Sequence, residues 1–232
     1  MDGKLVVLEG LDGCGKSTQF ERLLRYCEEN GIPAKGISFP DYEKESSALV
    51  RMYLNGAFGA RPGGGAFGQD VNDVNAYAAS SFYSVDRYAS YQCGWKGEYE
   101  AGMLILASRY TTSNIIYQMT KLPKERWKDY IDWLYDFEFS RMELPRPGRV
   151  LFLDMPVEIS QKLLCGRYHG DESRKDLHES DISYLSFCRE AAAFAAGYLG
   201  WKIIPCWKGD EPLGIEDIHK SIVETVFGGD GI

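Results

Sequence analysis

The segment EGLDGCGKST, residues 9–18, constrains the fold of this chain more than any other part of it. An apolar run, LVVLE at residues 5–9, leads directly into the segment. After it, apolar side chains recur at the spacing of one helix face as far as Asn30. The order therefore predicts a buried strand, a glycine-rich turn and an amphipathic helix.

Apolar runs and amphipathic segments continue to alternate along the rest of the chain. Strands are predicted at residues 5–9, 34–40, 102–107, 149–154 and 202–206. Helices are predicted at 17–30, 46–54, 75–92, 111–120, 124–139, 156–164, 179–199 and 213–227. The helix at 46–54 is expected to carry a serine cap. This alternation predicts an α/β fold in which a parallel five-stranded sheet has helices on both faces.

Length and charge narrow the class of protein. The 232 residues suit a single domain over residues 1–232, with a glycine-rich loop at 56–70 and a charged connector at 166–176. The net charge of −8 makes a nucleic-acid polymer an unfavourable partner, although a local cluster of cations still suits a small anion. The six cysteines are dispersed and form no metal-ligand spacing with the three histidines.

No apolar run reaches the roughly 20 residues that cross a bilayer, so no membrane association is expected. The first ten residues, MDGKLVVLEG, lack the apolar centre of a signal peptide. We therefore expect a soluble, cytoplasmic protein whose cysteines are reduced.

The glycine-rich segment matches the pattern G-x-x-x-x-G-K-S, from Gly10 to Ser17. In a strand–loop–helix context, this pattern predicts backbone N–H groups around a phosphate, reinforced by the helix N-terminus. Lys16 is expected to reach the β- and γ-phosphates and Ser17 to ligate Mg²⁺. ATP is the default nucleotide, because no Asn-Lys-x-Asp motif of a GTPase follows. A chain of this size favours a kinase that acts on a small acceptor.

Two further segments are expected beyond the carboxyl ends of strands, where ligands bind in open α/β sheets. They are FPDY at residues 39–42 and SRYTTSNIIYQ at 108–118. Arg87 and Arg109 are then placed to converge on one anionic group, and Tyr83 lies one helical turn before Arg87. These residues also have a purely structural interpretation. Asp86 and Arg87 would then be a solvated surface pair, and the aromatic residues would only pack in the core.

The chain resembles the thymidylate kinase (dTMP kinase) family of P-loop nucleoside monophosphate kinases. Matching segments occur in family order across nearly the whole chain: EGLDGCGKST at 9–18, FPDY at 39–42, FYSVDRY at 82–88, SRYTTSNIIYQ at 108–118 and FLDMPVE at 152–158. The resemblance implies phosphoryl transfer from MgATP to dTMP by a homodimer. It implies a dimer contact near residues 72–93 and 124–139, and a small lid at about 166–178.

The resemblance also implies the donor site. ATP would be bound by Gly10, Leu11, Asp12, Gly13, Cys14, Gly15, Lys16, Ser17 and Thr18. Asp12 would contact the acceptor side of the reaction or the metal ion, as a partner of Ser17. Catalytic cations would be Lys16 and Arg109, with Arg167 or Arg174 of the lid reaching the phosphates; the choice between these two stays open.

For the acceptor, the resemblance implies that Tyr83 stacks on thymine, Asn114 hydrogen-bonds the base and Arg87 reaches the base or the phosphate. Arg109 would hold the dTMP phosphate, with Tyr42 nearby. Tyr117 would crowd the sugar 2′ position and so favour deoxyribose. Ser113 belongs to the same run and would contribute to the acceptor site.

Three positions depart from the commonest family pattern. Ser108 stands where the family often has aspartate, Tyr42 where many members have arginine, and Gly13 where some members have arginine after the P-loop aspartate. The Ser108 departure keeps two alternatives open. One is a kinase for another nucleoside monophosphate or a deoxynucleoside, and the other is a nucleotide-binding regulator with little catalysis.

Overall fold

The computed structural model describes residues 4–58, 74–167 and 182–228, with only the backbone for residues 165–167. Its main sheet contains β1 (Leu5–Glu9), β2 (Ala34–Ser38), β3 (Leu104–Ser108), β4 (Arg149–Asp154) and β5 (Lys202–Pro205). The strand order is β2-β3-β1-β4-β5, and the pairs β1–β3, β1–β4 and β4–β5 are parallel. The predicted parallel five-stranded sheet is confirmed.

Helices occupy the connections between the strands. They are α1 (Lys16–Glu29), α2 (Ala48–Leu54), α3 (Ala76–Ser90), α4 (Lys96–Glu100), α5 (Thr111–Gln118), α6 (Trp127–Tyr135), α7 (Val157–Arg167), α8 (Ile182–Leu199) and α9 (Ile215–Phe227). Two π-helical turns, Tyr91–Trp95 and Asp136–Arg141, extend α3 and α6. A short hairpin, β6 (Trp207–Lys208) and β7 (Glu211–Pro212), follows β5.

The described chain divides into two compact units. The sheet unit comprises Met1–Ile37, Gly102–Arg109 and Pro147–Ile232, and the helical unit comprises Ser38–Ala101 and Tyr110–Arg146. In the sheet unit, α1 and α9 pack on one face of the sheet through Leu23, Cys27, Ile218, Ile222 and Val226. The central strand β1 is buried along its whole length, as expected for a parallel strand covered on both faces.

Some boundaries differ from the predictions, for local physical reasons. The helix at 46–54 lacks its predicted serine cap, because the Ser47 hydroxyl donates to the carbonyl oxygen of Lys44 instead. The helix predicted to end near residue 164 continues to Arg167, so the first residues of the predicted connector are helical. The hairpin β6–β7 was not predicted, since two-residue strands leave no periodic pattern.

The remainder of the connector and most of the glycine-rich loop lie outside the described residues. Within the described part of the chain, no helix is both long and apolar enough to cross a membrane. None of the five cysteines described with their side chains forms a disulfide bond: Cys14, Cys27, Cys93, Cys188 and Cys206.

Candidate functional site

The loop between β1 and α1 has the geometry of a phosphate-binding turn. Gly13 and Gly15 adopt left-handed backbone conformations, with φ of 81° and 86°. Glycine reaches this region without the steric cost that a Cβ imposes. The first turn of α1 begins at Lys16, so its unpaired N–H groups and positive dipole end lie at the close of the loop. Such a turn at a helix N-terminus is suited to an anionic ligand.

The backbone at Gly13 explains why an arginine is not accommodated at that position. A Cβ on Gly13 would lie 2.8 Å from the carbonyl oxygen of Ser160 and 2.9 Å from Cγ of Leu164, both on α7. Contacts below 3.0 Å to a backbone oxygen require the helix to move. Close packing of α7 against the loop therefore selects glycine here.

We expect Gly13→Ala to weaken ATP binding at least about tenfold, because left-handed strain of about 1–2 kcal/mol adds to the clash with α7. The matched control is Gly31→Ala, which has a φ of 65° but no neighbour within 4 Å of the added Cβ. Both variants should lose thermal stability, and only Gly13→Ala should lose ATP affinity by titration calorimetry. Equal ATP affinity in the two variants would contradict this explanation.

Lys16 is buried, with 8% of its surface exposed. Burial lowers the pKa of its ammonium group below the ordinary value, and the nearby Arg109 guanidinium lowers it further. A triphosphate in the loop would supply the missing counter-charge and reverse both effects. The side chain is thus placed where water stabilises its charge poorly.

Arg109 follows β3 directly and has a left-handed backbone, with φ of 67°. Its N–H donates to the carbonyl oxygen of Leu8, and its Nη2 donates to Oδ1 of the P-loop Asp12 at 2.5 Å. A non-glycine residue in this region is strained, and such strain concentrates at ligand sites. The structure therefore brings Arg109, Asp12 and the end of β1 together within the sheet unit.

Glu9 was not identified as a site residue from the sequence. It is fully buried at the end of β1, where its Oε1 accepts the N–H of Gly10 and lies 3.7 Å from Nη1 of Arg109. Ser108 pairs in register with Leu8 on the neighbouring strand and is buried. Arg109 therefore has the carboxylates of Glu9 and Asp12 as neighbours. The residue that precedes it, Ser108, has no carboxylate.

Arg87 lies on α3 in the helical unit and is 1% exposed. Its Nε and Nη2 donate to the two carboxylate oxygens of Glu138 in the second π-helical turn. The alternative of a solvated surface pair at residues 86 and 87 is therefore wrong, since Asp86 is also buried. Arg87 belongs to the helical unit and Arg109 to the sheet unit, so their convergence on one anion stays a prediction.

Asp86 holds the loop that carries Tyr42. Its carboxylate accepts the backbone N–H of Asp41 at 2.9 Å and the hydroxyl of Ser46 at 2.6 Å. From the outside, Arg51 donates to the carbonyl oxygen of Tyr42 at 2.9 Å. Tyr42 itself is 51% exposed. The backbone of the FPDY segment is thus fixed while the Tyr42 side chain remains accessible.

The other predicted acceptor residues also lie in the helical unit. Tyr83 is half-buried and packs edge-on against Tyr53, with ring centroids 6.2 Å apart. Asn114 is buried in α5, and its Nδ2 donates to the carbonyl oxygen of Ser80 on α3. Ser113 and Tyr117 are half-buried on the same short helix. Elements α3 and α5 thus carry most of the predicted acceptor residues.

The predicted lid cations cannot be placed, because Arg174 lies outside the described residues and only the backbone of Arg167 is described. Among the residues that are described, no cluster of three His, Cys, Asp or Glu side chains forms a metal site. The oxygen donors at the P-loop are the exposed Ser17 hydroxyl and the Asp12 carboxylate. Such hard oxygen ligands suit Mg²⁺, which also retains water and phosphate ligands.

Comparison with known proteins identifies the family. A family model described as thymidylate kinase matches residues 8–204. A thymidylate kinase of Mycobacterium tuberculosis is 26% identical over 179 residues, which cover 76% of this chain and 78% of the relative. A probable thymidylate kinase of Thermococcus gammatolerans is 26% identical over 229 residues, covering 97% and 96%. One from Danio rerio is 22% identical over 220 residues, covering 95% and 88%. The chain belongs to the thymidylate kinase family.

Proposed function

We propose that this protein transfers the γ-phosphoryl group of ATP to dTMP, giving ADP and dTDP. The observation that carries the proposal is the strained Arg109, which follows β3 and donates to Asp12 inside the phosphate-binding loop. An arginine bound to the loop that holds the donor phosphates suits a reaction between two anionic substrates. Membership of the thymidylate kinase family supports dTMP as the acceptor.

In this proposal, residues 10–18 bind the triphosphate of ATP. Backbone N–H groups of the loop and the ammonium group of Lys16 hold the β- and γ-phosphates. Ser17 and Asp12 would hold Mg²⁺, which would neutralise phosphate charge. Glu9, which is buried beside Gly10, orients the start of the loop and the guanidinium of Arg109.

The acceptor residues have separate roles. Tyr83 stacks on the thymine ring and Asn114 hydrogen-bonds its edge, with Ser113 as a polar neighbour. Tyr117 limits the space at the sugar 2′ position. Arg109 holds the dTMP phosphate, and the accessible Tyr42 lies beside it. Two observations support this assignment: the edge-on support of Tyr83 by Tyr53 and the fixed backbone of the Tyr42 loop.

Phosphoryl transfer requires the protein mainly to position the two substrates and to supply positive charge. The acceptor phosphate oxygen is already ionised near neutral pH, so no strong general base is required. The barrier comes from bringing two polyanions together in line, and Lys16, Arg109 and Mg²⁺ offset that repulsion. A lid cation, Arg167 or Arg174, stabilises charge on the transferred phosphoryl group, an effect worth roughly 10³–10⁵ in rate in related enzymes.

An acceptor panel tests the proposed function. ADP production is measured with dTMP, dUMP, dCMP and thymidine at fixed MgATP. We expect kcat/KM to be highest for dTMP. A preference for thymidine would identify a nucleoside kinase, and a preference for another monophosphate would identify a different acceptor base. Nucleotide binding without turnover on any acceptor would identify a regulatory protein.

We expect Arg109→Ala to raise the KM for dTMP by roughly 10- to 100-fold, because a hydrogen bond to a charged group contributes about 1.5–3 kcal/mol. The KM for ATP should change much less. Arg22→Ala is the matched control, since Arg22 also forms an ion pair in the sheet unit, with Glu216. Steady-state kinetics with each substrate varied provides the measurement. An equal loss for ATP and dTMP would contradict the assignment of Arg109 to the acceptor.

We further propose that the protein is a cytoplasmic homodimer that joins through the helical unit. The free thiols of the described cysteines support a reducing compartment. Val85 and Tyr88 on α3 are 44% and 40% exposed, within the segment proposed for the dimer contact. Sedimentation equilibrium provides the test: the native chain should dimerise, and Val85→Glu should shift it to a monomer. A native monomer at working concentration would exclude the homodimer.

A further inference from the structure

Among the described carboxylates of the helical unit, Glu138 is the most completely buried, with no exposed surface. Its Oε1 accepts Nη2 of Arg87 and the hydroxyl of Ser84, and its Oε2 accepts Nε of Arg87 and the hydroxyl of Thr111. Burial of an ionised carboxylate is costly unless its lone pairs are used, and here four donors use them. Glu138 lies in a π-helical turn, a feature frequent at functional sites.

The pair leaves Arg87 with a defined orientation. A guanidinium that donates through Nε and Nη2 to one carboxylate is held in a single plane, and Nη1 takes no part in the pair. Burial alone would lower the pKa of Arg87, but the charge and hydrogen bonds of Glu138 raise the pKa above its ordinary value. Arg87 therefore keeps its positive charge and a fixed orientation, and the negative charge of Glu138 balances it.

The same carboxylate also connects two helices. Ser84 and Arg87 lie on α3, which carries Tyr83, and Thr111 is the first residue of α5, which carries Ser113, Asn114 and Tyr117. Glu138 accepts hydrogen bonds from both helices. A shift of this one side chain would alter the spacing of the two elements on which most of the proposed acceptor residues lie.

We propose that Glu138 is a positioning residue for the acceptor nucleotide, which acts by fixing Arg87 and the first turn of α5 relative to Tyr83. This inference rests on the proposed function, because it assumes that α3 and α5 carry the acceptor site. It assigns to Glu138 no contact with either substrate. Its predicted consequence is a loss of acceptor affinity when the carboxylate is replaced, without a loss of ATP affinity.

The first test is Glu138→Gln, which keeps the shape of the side chain but replaces one acceptor oxygen by a donor. We expect the KM for dTMP to rise at least about tenfold, since a charge-assisted bidentate pair is replaced by a mismatched one. The KM for ATP should stay within about twofold of the native value, because the P-loop lies in the sheet unit. Calorimetric titration with dTMP should show the same loss without turnover. An unchanged dTMP affinity, or a parallel loss for ATP, would overturn the inference.

A stability control separates positioning from general loosening of the helical unit. Ile131→Ala removes a fully buried side chain from α6, about two helical turns before Glu138, without touching its hydrogen bonds. It should lower the melting temperature as Glu138→Gln does, yet leave the KM for dTMP near the native value. If Ile131→Ala raises that KM equally at equal loss of stability, the role of Glu138 is only structural and the inference fails.

A double variant tests whether Glu138 acts through Arg87. If it does, Glu138→Gln should weaken dTMP binding clearly less in the Arg87→Ala background than in the native protein, because only its hydrogen bonds from Ser84 and Thr111 are then left to disturb. Multiplicative losses would overturn action through Arg87. The proposed function is judged separately, from turnover of dTMP by the native protein: native turnover combined with an unaffected Glu138→Gln variant refutes this inference alone.

Discussion

Replacing Lys16 with alanine is expected to lower kcat by roughly 10²–10³-fold or more, the loss typical for removal of one preorganised charge from a transition state. The reason is local: Lys16 begins α1 at the end of the phosphate-binding loop, its side chain is buried, and bulk water cannot replace its charge. The backbone N–H groups of the loop and the N-terminus of α1 would still be able to bind the triphosphate, so ATP affinity should fall less than kcat. Single-turnover kinetics at saturating MgATP and dTMP measures the chemical step directly.

The same substitution should not destabilise the protein in the absence of nucleotide. Burial and the Arg109 guanidinium both lower the pKa of Lys16, so the empty protein carries an unfavourably placed charge. Removal of that charge should leave the melting temperature equal to or above the native value, the usual relation between a strained site and stability. Lys16→Met, which retains the apolar part of the side chain, is the control for packing. A large drop in melting temperature for Lys16→Met would contradict this account of the site.

The elements that carry local signals were predictable. The P-loop was found because glycine spacing, an apolar strand and an amphipathic helix all coincide within residues 5–30. The strands β1, β3 and β4 were found because parallel strands covered on both faces appear as continuous apolar runs. The predicted helix boundaries were wrong where a local hydrogen bond or a π-helical turn replaced the regular pattern, as at Ser47 and at residues 136–141.

Pairings between distant residues could not be predicted in this way. Arg87 and Glu138 are 51 positions apart, and nothing in either segment alone indicates a bidentate ion pair. One signal was nevertheless present: Trp127, Ile131 and Leu134 form the buried stripe of α6, and Glu138 follows at the next position of that stripe. A carboxylate at an apolar position of an amphipathic helix predicts a buried charge, and therefore a partner.

The surroundings of Ser108 also depend on a pairing between distant residues. From the sequence, the absence of the usual carboxylate at residue 108 kept two alternative functions open. In the structure, the neighbouring strand β1 ends in the buried Glu9, whose carboxylate lies 3.7 Å from Arg109. Adjacent parallel strands end at the same edge of the sheet, which places Glu9 of β1 beside the arginine that follows β3. The proximity of Glu9 to Arg109 follows from the register of the two strands, which the spacing of residues along the sequence does not reveal.

Arg87→Met is expected to lower the free energy of unfolding by about 3–5 kcal/mol, because it leaves Glu138 as a buried charge without its ionic partner. That is a large share of the roughly 5–15 kcal/mol that stabilises a typical domain. Ser84 and Thr111 still donate to the carboxylate, but two hydroxyl groups do not replace a guanidinium. Urea denaturation followed by circular dichroism gives the measurement.

The double variant Arg87→Met with Glu138→Met should be more stable than Arg87→Met alone. Replacing both members of a buried ion pair with apolar side chains removes the desolvation cost together with the attraction, whereas removing one member leaves the cost uncompensated. Ser84 retains a second acceptor in the carbonyl oxygen of Ser80, which limits the loss in the double variant. Additive losses in the two single variants and the double variant would show that the two charges are not energetically coupled, and would remove the physical basis for Glu138 acting on the acceptor through Arg87.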